Sequence, residues 1–128
     1  MLVQDFLHHS VDRLPEKIAL ICDGQRFRYR DIEIAANRLA NALIESGLQR
    51  GDRVVIYLPN SAASVTAIFA ALKAGGVFVV INHTTKQDKL IQILNNCRAT
   101  AIVTQGRDEA LLRAILSASP SLKMVVLT

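Results

Sequence analysis

His83 is the one catalytically versatile side chain that the pattern sets at the end of a strand, in the run Asn82-His83-Thr84-Thr85. An imidazole there has the chemistry to move a proton at neutral pH, but acid–base or nucleophilic work needs a second group to orient it. No acidic or nucleophilic residue stands close to it in sequence, so the plain expectation for His83 is a loop residue that helps cap the next helix. Asp31 and Glu33 fall on opposite sides of a helical pattern and are expected to be two solvated charges, not a carboxylate pair. Cys22 and Cys97 are too few and too far apart for a zinc site and belong to no Cys-x-x-Cys pair, so both are expected to be buried free thiols. None of the six glycines prepares a G-x-G-x-x-G turn or a P-loop, which leaves no self-sufficient nucleotide site. A phosphoacceptor domain of this size would need acidic residues at its strand ends to hold Mg²⁺. Pro59, Asn82 and Gln105 stand there instead, with only Asp23 elsewhere. Neither a catalytic nor a metal-binding residue is assigned.

The elements that position these residues alternate. Leu2 to Arg13 is expected to form an amphipathic helix with Leu2, Phe6, Leu7 and Val11 on one side. Ile18 to Cys22 is a strand, Asp23-Gly24 a turn pair, and a second short strand lies near Phe27. Helical spacing of Ile32, Ala36, Leu39 and Leu43 runs until Gly47. Then come a strand from Val54 to Leu58, a helix from Ala62 to Ala74 capped by Asn60 or Ser61, and a strand from Val77 to Ile81. A helix carrying Leu90, Ile91 and Leu94 follows, with Thr85 and Asp88 spaced as a capping box. Ala101 to Thr104 (strand), Asp108 to Ser117 (helix) and Met124 to Leu127 (strand) complete the series. Solid Val/Ile/Leu strands separated by helices imply a doubly wound, mostly parallel α/β sheet with helices on both faces. The N-terminal helix and short hairpin are expected at its margin.

Length confines all this to one domain, residues 1–128. Half the residues are hydrophobic (51%) and mean hydropathy is +0.28, yet no apolar run approaches the ~20 residues of a membrane span. Met1 to Asp12 lacks the layout of a secretory signal, which points to a cytoplasmic protein. The net charge of +4 is scattered. Its densest cluster, Arg26, Arg28 and Arg30, is expected on one solvated face of an extended segment, and no nucleic-acid surface is expected. The surplus apolar surface is expected to be covered, either by further polypeptide or by a second copy in a homodimer.

Several segments, in order, resemble the motifs of adenylate-forming enzymes. Pro15-Glu16-Lys17-Ile18-Ala19-Leu20 is similar to their P-[DE]-K-x-A-[LV] opening. Phe27-Arg28-Tyr29-Arg30-Asp31-Ile32, followed by Ala36-Asn37-Arg38-Leu39-Ala40, is similar to their T-Y-x-E-L … A-N-R-L-A helix. Gly51 to Ser61 is similar to G-D-R-V-A-[IL]-x-L-x-N-S, and Leu72 to Asn82 to L-K-A-G-G-x-[FY]-V-P-[IL]-[ND]. Leu94-Asn95-Asn96-Cys97-Arg98-Ala99 and Ile102-Val103-Thr104 continue the series. Arg28 departs from the family's Thr or Ser, losing a helix cap worth about 1 kcal/mol, and Val80 and His83 stand where prolines are common. The Asn82-His83 version leans towards acyl-CoA ligases and away from the adenylation domains of peptide synthetases.

The resemblance implies the N-terminal subdomain of an AMP-forming acyl-CoA ligase, whose parent would use ATP, Mg²⁺ and CoA to activate a carboxylic acid as acyl-AMP. Family motifs for phosphate and adenylate binding would lie beyond Thr128, so the chain alone is expected to be inactive and to bind no cofactor, its partner being the remainder of that polypeptide. Asn82, His83 and Thr84 are implied as a wall of the CoA entrance. A short non-enzymatic interaction module derived from such a ligase is the competing class.

Overall fold

A computed structural model describes Met1–Thr128. Its elements in chain order are α1 (Val3–Arg13), β1 (Ile18–Cys22), β2 (Gln25–Arg28), α2 (Tyr29–Glu45), β3 (Arg53–Tyr57) and α3 (Ala62–Lys73). They continue with β4 (Val77–Ile81), α4 (Gln87–Asn96), β5 (Ala101–Thr104), α5 (Glu109–Ala118) and β6 (Met124–Leu127).

The four uncharged or nearly uncharged apolar runs pair in parallel in the order β4-β3-β5-β6. Val54 of β3 stands beside Phe78 on one side and Ala101 on the other. From β3 the chain first steps outward to β4, then crosses back to β5 and on to β6. If every crossover keeps one hand, that reversal requires helices on opposite faces. Leu43 of α2 and Ala67 and Ala71 of α3 pack on Val54, Ile56, Ala101 and Val103. Leu90 and Leu94 of α4 and Ile115 of α5 pack on Val55, Ile81 and Ile102. Strands covered from both sides have no polar face to offer, which is why they read as continuous apolar runs. No helix is long and apolar enough to cross a membrane.

β1 and β2 form a separate antiparallel pair that leans on α2 and does not join the sheet. Their turn places both Asp23 (φ 50°) and Gly24 (φ 76°) in the left-handed region, as a two-residue type I′ turn requires. At the end of α3, Gly75 (φ 81°) reverses the chain. Its N–H donates to Leu72 O at 3.1 Å and that of Gly76 to Ala71 O at 2.9 Å, the Schellman pattern that satisfies the last helical carbonyls. The same pattern ends α4, but there Arg98 (φ 51°) holds the left-handed position, at a cost of roughly 1 kcal/mol.

Three expectations are corrected. The arginines do not share one extended face, because α2 begins at Tyr29 and puts Arg30 on its first turn. The Asp31 carboxylate accepts the Arg28 backbone N–H at 2.8 Å and starts the helix earlier than the apolar spacing indicates, supplying a cap that the Arg28 side chain cannot. Arg28 and Arg30 each reach Glu16 at 2.8 Å; such exposed pairs contribute at most about 1 kcal/mol. Glu33 is not solvated. It turns inward, and Lys73 Nζ donates to its Oε1 at 2.8 Å, with His8 Nδ1 of α1 at 3.6 Å from the same oxygen. Glu33 Oε2 is buried without a partner. Cys22 and Cys97 are half-buried, not buried, since each lies at the rim of its element.

Candidate functional site

In a sheet of this order, connections diverge between β3 and β5, and ligands of such folds bind outside the carboxyl ends of the strands near that point. Three loops follow the strands on that side, and those after β3 and β4 share a recess. After β3 comes Leu58-Pro59-Asn60-Ser61, in which Ser61 Oγ accepts from Ser64 N–H at 3.1 Å and caps α3. After β5, Asp108 Oδ1 accepts from Leu111 N–H at 2.9 Å and caps α5.

The loop after β4 holds the residues expected from the sequence. Asn82 Oδ1 accepts from both the backbone N–H (3.0 Å) and the hydroxyl (2.9 Å) of Thr84, an Asx turn. Thr85 N–H then donates to Asn82 O at 2.9 Å. The N-cap position falls on Lys86 and not on Thr85, and the expected capping box with Asp88 is absent. α4 starts one residue later, from Lys86, with no side-chain cap. His83 caps nothing either; it is exposed and outside the hydrogen bonds and ion pairs of the loop.

Asn82 and His83 come together with Leu58, Asn60, Val80 and Ile81 around a recess of about 300 Å³, with Thr84 outside the lining. Asn60 was not singled out as a site residue from the sequence. The signal for it lies in strand pairing: Tyr57 is in register with Ile81, so the residues just past those two strands must be neighbours. Amide and imidazole groups at such a rim can hydrogen-bond a polar ligand. They include no carboxylate to orient His83, and nowhere does the chain gather three metal-ligating side chains.

Tyr57 fastens this loop to the sheet. Its hydroxyl donates to Thr85 O at 2.5 Å across 28 residues of chain. Burial, and then the negative charge of Asp108, push the phenol above its usual value of 10.0. The folded state thus holds the proton more tightly than the unfolded chain, and linkage lowers stability as pH rises past about 10. Tyr57→Phe is expected to cost about 1 kcal/mol at neutral pH and to flatten this alkaline loss. Urea unfolding of both proteins at pH 7 and above pH 10 measures it, and equal alkaline slopes would refute the assignment.

Comparison with known proteins follows the same outline. The family model of the AMP-binding enzyme matches residues 7–128. A 3-oxocholest-4-en-26-oate–CoA ligase of Rhodococcus rhodochrous is 32% identical over 97% of the chain, which spans 22% of that ligase. Gramicidin S synthase 2 of Brevibacillus brevis is 34% identical over 81% of the chain, which spans 2% of that protein. Among solved structures, the anthranilate CoA ligase AuaEII in complex with anthranoyl-AMP superposes with a TM-score of 0.92 at 27% identity, covering 100% of the chain and 25% of that ligase. The chain thus spans about a fifth of the CoA ligase and a smaller share of the peptide synthetase. It belongs to the AMP-binding enzyme family and corresponds to the N-terminal portion of that family's CoA ligases.

Proposed function

We propose that this chain is the N-terminal scaffold of a cytoplasmic AMP-forming acyl-CoA ligase, an enzyme that activates a carboxylic acid as acyl-AMP and passes the acyl group to CoA. The observation that carries the reading is the extent of the match. Likeness to the steroid-acid CoA ligase runs over 97% of the chain, whereas likeness to the peptide synthetase covers 81%.

ATP and Mg²⁺ do not fit the residues present. The strand-end loops have no run of glycine amides to cradle phosphates, and no acidic cluster faces the recess. Nucleotide chemistry in this reading belongs to the rest of a ligase. CoA is different. Asn82 and His83, with Thr84 behind them, offer an exposed polar wall on which the amides of a pantetheine arm would find hydrogen-bond partners. The scaffold's own task is to hold that wall, through Tyr57 and the Asx turn, and to present apolar surface to the neighbouring subdomain.

Acid-dependent ATP–pyrophosphate exchange tests the reading. The 128-residue chain is expected to give none. A polypeptide of the relatives' full length carrying this segment is expected to exchange pyrophosphate and to consume free CoA. Exchange by the short chain would reject the scaffold role, and acyl transfer only to a carrier-protein thiol would favour the peptide-synthetase reading.

A further inference from the structure

We propose that β4 is the contact edge of a symmetric dimer of this chain, in which two copies join their sheets antiparallel through Phe78 and Val80. This inference does not rest on the ligase reading.

β4 pairs only with β3. Val77 N–H donates to Asp52 O at 2.8 Å, which turns Val77, Val79 and Ile81 towards β3. By the two-residue period, the N–H and C=O groups of Phe78 and Val80 point away, and no other backbone group reaches them. An edge of that kind accepts another strand. β4 carries none of the usual deterrents: it has no charge, no proline and no bulge, and Val77, Phe78 and Val80 are 49%, 37% and 51% exposed.

The open groups suit a second copy, and the side chains beside them favour it. A two-fold axis through Val79 sets Phe78 opposite Val80 of the second copy, and Val80 opposite its Phe78. Both pairs are then of the hydrogen-bonded kind, so all four open groups of each copy are satisfied at once. The two residues also share a face, so each pairing brings an aromatic ring beside a β-branched side chain, a favourable cross-strand combination. Val80 borders an apolar recess of about 340 Å³ with Leu20, Ile21 and Ile68, and Phe78 of the second copy arrives at its mouth. The edge of β6 is less suited. Three of its four side chains are half-buried, α2 overhangs it, and Lys123 guards its start.

Sedimentation over a range of concentrations tests this. The chain is expected to form a reversible dimer, and Val80→Pro is expected to weaken it by about thirtyfold or more, since two symmetric hydrogen bonds are lost. Val80 N–H does not serve the β3 ladder, so proline is tolerated there as on any free edge. Should that variant fail to fold, Val80→Lys tests the same contact by placing like charges across the axis. Val125→Pro, on the outward side of β6, should leave the dimer intact. A wild-type chain that stays monomeric when concentrated overturns the proposal and reserves the edge for a different strand. A dimer that survives both Val80 variants, or is lost with Val125→Pro, overturns it as well.

Discussion

Glu33→Ala is expected to lower folding stability by about 3 kcal/mol, because it leaves a buried ammonium without its counter-ion. The side chains of Glu33 and Lys73 are only 12% and 15% exposed, and their 2.8 Å contact ties α2 to α3 across 40 residues. Removing one partner strands the other, while removing both strands nothing. The double variant Glu33→Leu/Lys73→Met should therefore return to within about 1 kcal/mol of the parent, as replacement of buried ion pairs by apolar groups commonly does. His8 reaches the same carboxylate from α1 but is itself largely exposed, so His8→Ala should cost well under 1 kcal/mol. Urea midpoints for the parent, the single variants Glu33→Leu and Lys73→Met, and their double form a closed cycle. A single variant as stable as the parent would mean that Lys73 finds water on its own, and the contact would then be a consequence of packing instead of a support for it.

Gly76→Ala is the second large effect, expected at about 2 kcal/mol from overpacking. A Cβ at that position would lie 3.1 Å from Asp52 O and 3.3 Å from Ala71 O and Val54 Cγ2. Two of these three atoms are backbone, one at the end of α3 and one at the start of β3, and neither can yield without breaking a hydrogen bond. Gly75 is different in kind. An added Cβ there meets nothing closer than 3.8 Å, and the obstacle is its φ of 81°. Gly75→Ala should therefore cost about 1 kcal/mol, the ordinary price of a left-handed L-residue. Thermal or urea unfolding should rank Gly76→Ala as the more damaging. The opposite ranking would show that the helix end shifts to admit a methyl group.

These contacts mark the boundary between what local sequence discloses and what it cannot. β1, β4, β5 and β6 begin and end where their apolar runs do, and Ser61 caps α3 as its side chain invites. Those features depend on neighbours in the chain. The inward turn of Glu33 depends on α1 and α3 arriving over α2, and nothing within Asp31-Ile32-Glu33 reports that. Thr85 looked like a helix cap because the spacing to Asp88 is right, but Asn82 captured the turn first. Arg30 moved onto a helix because the Asp31 carboxylate, not an apolar residue, opens α2. At the candidate site, Asn82 and His83 were legible as residues after a strand. Asn60 became their neighbour only once β3 and β4 were known to be adjacent and in register.

The strand order has a kinetic meaning as well. β3 with β4, and β5 with β6, each pair across about two dozen residues, through a single helix. β3 meets β5 only across roughly twice that separation. Loop closure costs more entropy as the loop lengthens, so the sheet is best understood as two local halves that zip along one distant seam. All four residues of β5 and the middle three of β3 are buried, which makes that seam both the most sequestered part of the sheet and its strand pairing of longest range. The recess at the strand ends lies between β3 and β4, so its walls belong to one local half and can be shaped before the seam closes.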